Sequence, residues 1–383
     1  MKRGIATFTL DTGVCPPWLF ERMVRLGRSM IEVLIDEYGP DEFIKRISDP
    51  VWFQSLGTVL AFDWNASGLT TVLIGALKEA IRGQEKDLGI FIAGGKGATS
   101  RKTPDQIIDW GGKLNFSDDQ TAGLVKSSKL SAKVDSSLVQ DGYTLYHHAF
   151  FFSKNGAWTV VQQGMNTESS TARRYHWYSE AFESFVDEPH SGIASQDFKK
   201  STLNLVAKAS KKNRDISLDL ANTSYLSLMK DVEILRKHSS SLTKMITLKT
   251  GDEQLTLASI AGLEFEHHGV ETEDFGKSKY LDKILARVSE EAPKNYEDLV
   301  SIKGVGGKTM RALSLVSEVI YGADPSYEDP ARYSFAHGGK DATPYPVDKE
   351  TYDQTIKVLQ AAVRKAKINP LEKDKALRRI SGK

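Results

Sequence analysis

A single cysteine, Cys15, stands among the 383 residues. That excludes an internal disulfide and a cysteine-based zinc site, and it suits a reducing cytoplasm. Long apolar runs are missing as well: none approaches the length of a membrane span, so no membrane is expected. The opening Met-Lys-Arg-Gly-Ile-Ala-Thr-Phe reads as too short and strand-like for a signal peptide. Charge of one sign is lacking overall, with a net +1, so a nucleic-acid partner would need the basic groups segregated. The C-terminal stretch is segregated in that way. There Lys357, Arg364, Lys365, Lys367, Lys373, Lys375, Arg378, Arg379 and Lys383 stand against Glu372 and Asp374. A solvated basic tail is the plain alternative.

What is present begins with Tyr296-Glu-Asp-Leu-Val-Ser-Ile-Lys-Gly304-Val305-Gly306-Gly307-Lys308-Thr309-Met-Arg311. This has the layout of a helix-hairpin-helix, spanning about 295–320. Glu297 to Ser301 ends a first helix, Gly304-Val305-Gly306 turns tightly, and Lys308 starts a second helix. The first backbone N–H groups of that helix have no intrahelical partner, and with the positive helix end they suit a phosphate. Val305 plugs the turn, while Lys303, Lys308, Thr309 and Arg311 add reach. Gly307-Lys308-Thr309 also ends like a P-loop, but that motif needs Gly at 302, where Ile stands, and a preceding strand. An ordinary glycine turn between packed helices is the remaining alternative.

Along the chain, a strand (4–10) leads into a helix from Trp18 to about Tyr38. Thr58 to Ser67 and Leu69 to Ile81 read as strand, sharp turn, and strand or helix. Leu88 to Ala93 is a short buried strand running into Gly94-Gly95-Lys96-Gly97, and Pro104 to Trp110 a helix. Tyr143 to Phe152, Lys154-Asn155-Gly156 and Ala157 to Gln163 form the clearest hairpin signal. Lys199 to about Ser210, Asn222 to His238, Tyr280 to Glu290 and Thr351 to Ala366 are predicted helices. Pro325 to Pro346 reads as a structured loop. The fold expected is an α/β (α+β) N-terminal domain over 1–194, with a ribonuclease-H-like fold as one candidate. A mainly helical domain over 195–383 would carry the hairpin and the basic tail.

Candidate chemistry lies in the first half. Asp63, at the end of an apolar run and before a turn with Gly68, suits a Mg²⁺ or Mn²⁺ ligand held on a strand; a turn Asp bonding its own backbone is the alternative. Asp135 and Asp141 precede one strand of the hairpin, and Gln162 and Gln163 end its partner, so carboxylates and amides could meet across it. Lys96 and Arg101 flank a Gly-rich turn and could contact phosphate. His147 and His148 are adjacent in a strand and so point to opposite faces. Arg173, Arg174 and His176 form a basic-aromatic cluster that could stack on a base or hold phosphate, or simply pack. His190 and His337 are loop residues with no visible partner.

Taken together, Ser48-Asp49-Pro50-Val51-Trp52-Phe53-Gln54, Phe62-Asp63-Trp64, Gly94-Gly95-Lys96-Gly97 and Gln140-Asp141-Gly142-Tyr143 resemble the family designated domain of unknown function 763. So do Val160-Val161-Gln162-Gln163-Gly164-Met165, Arg174-Tyr175-His176-Trp177 and Phe335-Ala336-His337-Gly338-Gly339-Lys340-Asp341. The resemblance covers almost the whole chain; where the family pattern has His after Asp-Trp, this chain has Asn65. The hairpin is also similar to that of endonuclease-III-like DNA glycosylases. That second resemblance implies Lys308 as the attacking amine and Asp348, after Pro344 and Pro346, as its charge partner, although the intervening loop is about twice as long. The expectation is a cytoplasmic, divalent-metal-dependent DNA nuclease of repair or processing. Asp63, Asp135 and Asp141 would be its metal ligands, with Lys96 or His148 assisting. The DNA would be single-stranded or structured duplex, and a homodimer is left open. A glycosylase/AP lyase and a non-enzymatic DNA-binding scaffold are the alternatives.

Overall fold

The computed structural model describes residues 8–10, 13–60, 66–196, 199, 201–238, 247–250, 253–256, 278–331 and 349–381. Helices α1 (Pro17–Tyr38), α2 (Pro40–Ile47), α3 (Pro50–Val59) and α4 (Ala66–Ile81) come first, then the one-turn α5 (Glu85–Leu88). Strand β1 (Ile90–Lys96) runs through a 3-10 turn (Gly97–Lys102) into α6 (Thr103–Leu114) and α7 (Asp118–Ser137). Next are β2 (Val139–Gln140), β3 (Thr144–Ser153), β4 (Trp158–Asn166), β5 (Thr171–Tyr178), β6 (His190–Ser195) and β7 (Leu203–Asn204). Helices α8 (Lys211–Ala221) and α9 (Tyr225–His238) precede a small hairpin, β8 (Thr247–Thr250) and β9 (Glu253–Thr256). The remaining described helices are α10 (Lys279–Glu291), α11 (Tyr296–Ser301), α12 (Gly307–Val319), α13 (Lys349–Lys365) and α14 (Pro370–Ser381).

The central sheet has the order β1-β3-β4-β5-β6, and every neighbouring pair is antiparallel. Both of its faces are covered, which explains the apolar runs. Strand side chains alternate between faces, so Phe91, Phe150, Phe152, Val160, Tyr175 and Trp177 enter one core with Leu130 and Val134 of α7. That core also takes residues of α8 and α10 to α12, including Leu285, Val300 and Leu313. Ile90, Ile92, Phe151 and Val161 enter the other core, with α1 to α4 and with Leu359, Val363 and Ala376 of α13 and α14. The position drawn as a domain boundary, 194/195, falls at the end of β6; helices beyond it lie against both faces.

The hairpin expected around Asn155-Gly156 is present. Gly156 takes φ +97°, and its N–H donates to Ser153 O at 3.1 Å. Helices expected near Trp18–Tyr38, Pro104–Trp110, Tyr280–Glu290 and Thr351–Ala366 correspond to α1, α6, α10 and α13. Two expectations are corrected. The strand placed at Thr58 to Ser67 is replaced by the end of α3 and the start of α4, because a short apolar run buried all round reads alike as strand or helix. The ribonuclease-H-like candidate rested on that strand, and Asp63 itself lies outside the described residues. The helix placed at Lys199 to Ser210 is instead the short β7 and a 3-10 turn, Lys208–Ser210.

The second half of β1 depends on a glycine. Gly94 has φ +86°, and a Cβ there would collide with the backbone oxygen of His148 and with Thr103 Oγ1. Gly94→Ala is therefore expected to lower stability by about 2–4 kcal/mol, from a strained φ plus overpacking. A thermal melt of the variant against Gly112→Ala, where a Cβ meets nothing within 4 Å, checks it.

Candidate functional site

Helix α7 carries the polar centre of the molecule. A capping box starts it: Ser117 Oγ accepts from Gln120 N–H while the Gln120 side chain accepts from Ser117 N–H. The face turned to the sheet holds small hydroxyl residues (Ser127, Ser128, Ser131) and, near its end, Asp135, which is 1% exposed. Asp135 Oδ2 accepts from Trp177 Nε1 at 3.0 Å and from Gln162 Nε2. Its Oδ1 meets His190 Nε2. Gln162 Oε1 in turn meets His148 Nδ1 at 2.9 Å, and His148 Nε2 meets Ser128 Oγ at 2.9 Å. Asp135 and Ser128 are seven residues apart, two helical turns or roughly 10 Å along one side of α7.

Donor and acceptor chemistry fixes the protons in this chain of contacts. An indole N–H can only donate, so Asp135 Oδ2 is an acceptor and the Gln162 NH₂ must face it. Gln162 Oε1 then faces His148, so Nδ1 carries the hydrogen. Burial drives the His148 pKa down, against the smaller raising influences of Gln162 and Asp135, so the ring is neutral. Nε2 is left as an acceptor, and the Ser128 hydroxyl proton points at it.

Ser128, His148 and Gln162 also border a cleft of about 440 Å³ between the 3-10 turn and α7. That is a size typical of ligand sites. Arg101, Lys129 and Lys133 line it, and among the described residues no carboxylate does. His147 borders it too, 2% exposed, and neither ring nitrogen has a hydrogen-bond partner. Burial, with His148 and Lys96 nearby, pushes the His147 pKa down to about 3. Lys96 is exposed, its Nζ 6.0 Å from the centre of the Tyr146 ring.

The α11–α12 turn stands at the C-terminal end of α7. Val305 N–H donates to Ile302 O at 3.1 Å, and Gly304 takes φ +97°, the arrangement of a type II turn. Val305 is 1% exposed and plugs the turn. No side chain caps the start of α12, and Lys303 and Lys308 are exposed while Thr309 is buried. Gln140 ties this turn to α7: its Nε2 donates to Gly307 O (2.9 Å) and Ser137 O (3.0 Å), and its Oε1 accepts from Arg311 Nε at 2.7 Å. The turn thus lies beside Ser136, which also lines the cleft.

Arg173, Arg174 and His176, read from the sequence as a nucleic-acid cluster, are fully buried. Strand β5 sends Arg173 to the α7 side, where Nη1 donates to Asp141 Oδ2 (2.9 Å) and to Asp329 Oδ1 (2.9 Å). Nη2 donates to Asp329 Oδ2 at 2.8 Å, and the two carboxylates hold the guanidinium charged. Arg174 goes to the other face, where Nε donates to His176 Nε2 (2.9 Å) and Nη1 to Thr70 Oγ1 (3.1 Å). Its guanidinium carbon lies 4.6 Å from the centre of the Phe53 ring. Burial pushes the Arg174 pKa down to about 9.

A family model described as "Protein of unknown function (DUF763)" matches residues 4–347. The chain belongs to the DUF763 family. No curated protein and no solved structure matches it. A divalent metal was expected at Asp63, Asp135 and Asp141, and the fit of this DUF763 chain can be tested at the last two. Asp135 is held by three N–H donors. Asp141 accepts from Tyr143 N–H, Tyr175 O–H and Arg173. A cation at either carboxylate would have to displace donors aimed at its oxygens, so these residues do not fit a metal pair as they stand. Among the described residues no group of three or more His, Cys, Asp or Glu could hold a metal ion.

The sequence put Asp135 and Gln162 within reach of one another, and they do meet. Gln163 turns to the opposite face, donating to Ser67 O and to Tyr146 O–H. Ser128, Lys129, Lys133, Trp177 and Asp329 were missed, and His190 had no partner visible in the sequence. The signal for Ser128 was its spacing of seven from Asp135, meaningful only once the segment is known to be helical.

Three buried histidines make acid the weak side of this structure. His147, His148 and His176 all have pKa values lowered chiefly by burial. The unfolded chain takes up their protons below about pH 6.5, so stability is present above that pH and lost as pH falls through it. Each contributes a slope of about 1.4 kcal/mol per pH unit, for His147 down to its folded pKa of about 3. Denaturant melts from pH 7.5 to 5 are expected to show this loss, and His147→Phe to reduce the slope.

Proposed function

We propose that this protein binds DNA and acts on it as a nuclease of repair or processing. The α11–α12 unit serves as a helix-hairpin-helix gripping backbone phosphate, and a strand runs from it into the cleft beside α7. The observation that carries the reading is the adjacency of two features suited to phosphate. One is an uncapped helix start with exposed Lys303 and Lys308; the other is a cleft bordered by Arg101, Lys129 and Lys133 and, among the described residues, by no carboxylate. Cationic side chains and free helix N–H groups both favour phosphate, and neither selects sequence. Lys308 in this reading is a phosphate contact at the first turn of α12. The lyase alternative needs Asp348, which lies outside the described residues.

The metal-dependent form of the reading now rests on Asp63, since the buried donors around Asp135 and Asp141 leave little room for a cation. Cleavage of single-stranded, flap and bubble DNA with Mg²⁺ or Mn²⁺, repeated in EDTA, tests that dependence. Binding is tested by fluorescence anisotropy over a salt series. Replacing Lys303 and Lys308 together by Ala is expected to weaken binding about tenfold or more and to reduce the log–log salt slope by about two. Unchanged affinity and slope would contradict the hairpin's role.

A further inference from the structure

We infer that Ser128 is a nucleophile, activated by His148, that attacks a phosphodiester of the strand held in the cleft. The inference rests on the nuclease reading above and supplies its chemistry. Three observations converge on it. Ser128 is among the residues lining the cleft, and its hydroxyl proton is directed at His148 Nε2 across 2.9 Å. The lone pair on that nitrogen is assured by the amide of Gln162, which Asp135 holds in one orientation. Arg101, Lys129 and Lys133 line the same cleft, and such cations favour the charge that grows on non-bridging phosphate oxygens. A serine, a histidine accepting its proton and a group fixing the far side of the imidazole make the arrangement by which a hydroxyl becomes reactive at neutral pH. Here an amide occupies the third position and a buried carboxylate stands behind it. Asp135 and Gln162 are positioning residues, because they act through His148.

The steps balance without any further reactant but water. Ser128 Oγ bonds to phosphorus as its proton passes to His148 Nε2, and the phosphorus–oxygen bond to the leaving sugar breaks. In-line displacement puts that leaving oxygen opposite the serine, so its proton comes from another group. Lys133 is the donor at hand: it is half-buried, and burial has already eased loss of its proton. Water then attacks the phosphoserine diester. Oγ takes back the proton held on His148, and the proton shed by water restores the Lys133 ammonium. One phosphodiester and one water give one phosphomonoester and one hydroxyl.

The probe is bis(4-nitrophenyl) phosphate with the full chain. Its 4-nitrophenolate leaving group needs no proton, so the first step is seen alone. The expected result is a burst of one nitrophenolate per chain followed by slower turnover, with a nitrophenyl phosphate adduct mapped to Ser128 by peptide mass spectrometry. Ser128→Ala is expected to abolish burst and adduct and to lower turnover at least about a thousandfold. The variant should still melt cooperatively, at a temperature lowered by loss of the buried Ser128–His148 hydrogen bond, and should still bind DNA through the hairpin. Gln162→Leu, which removes the amide that holds His148 Nδ1, should keep the adduct but slow its formation and shift the pH profile. Turnover that persists in Ser128→Ala, or a folded wild-type chain that binds DNA yet gives neither burst nor adduct, would overturn the inference. Absence of DNA binding would instead overturn the function proposed above.

Discussion

The Asp135 carboxylate is the contact on which the polar interior turns. It is withdrawn from water beneath α7 and receives N–H groups from β4, β5 and β6: Gln162, Trp177 and His190. An ion so placed is tolerable only when its oxygens are answered by donors in good geometry. That requirement locks α7 against the sheet at one register and sets the direction of every hydrogen in the line running from Asp135 to Ser128. Fold and candidate chemistry thus share a single interaction.

A sheet covered on both faces leaves no solvent side for its polar residues, so β3 to β5 carry a band of them between two apolar cores. Each is compensated differently. Arg173 is clamped by Asp141 and Asp329, an arrangement costing about 3–5 kcal/mol to break from one side. Arg174 lies over an aromatic ring and among neutral acceptors. His147 has no hydrogen-bond partner among the described residues and borders the cleft. Gln163 Oε1 on β4 also lacks a partner among the described residues, but only His147 of the two lines the cleft, where a bound ligand could satisfy it.

What was legible in the sequence followed from local chemistry. Asn155-Gly156 and Gly304 mark turns because positive φ singles out such residues, and α1 and α10 show their buried stripes directly. α7 was hidden because serines (Ser127, Ser128, Ser131, Ser137) and Asp135 interrupt Leu124, Leu130 and Val134 on its buried face, where an unbroken apolar stripe would have revealed it. Arg173, Arg174 and His176 were read as a surface because charged side chains are rarely fully buried unless partnered. The decisive partner Asp329 lies 156 residues away, beyond anything spacing can show. The family resemblance named the chain correctly and left its chemistry to the geometry.

The central claim is that Asp135, through Gln162, holds His148 in the tautomer whose Nε2 accepts the Ser128 proton. Nitrogen-15 NMR of the histidine side chains measures this directly. At neutral pH the account predicts a His148 ring with a protonated Nδ1 and a bare Nε2, and loss of that single tautomer in Gln162→Leu. A proton on Nε2, or an imidazolium at pH 7, would contradict it.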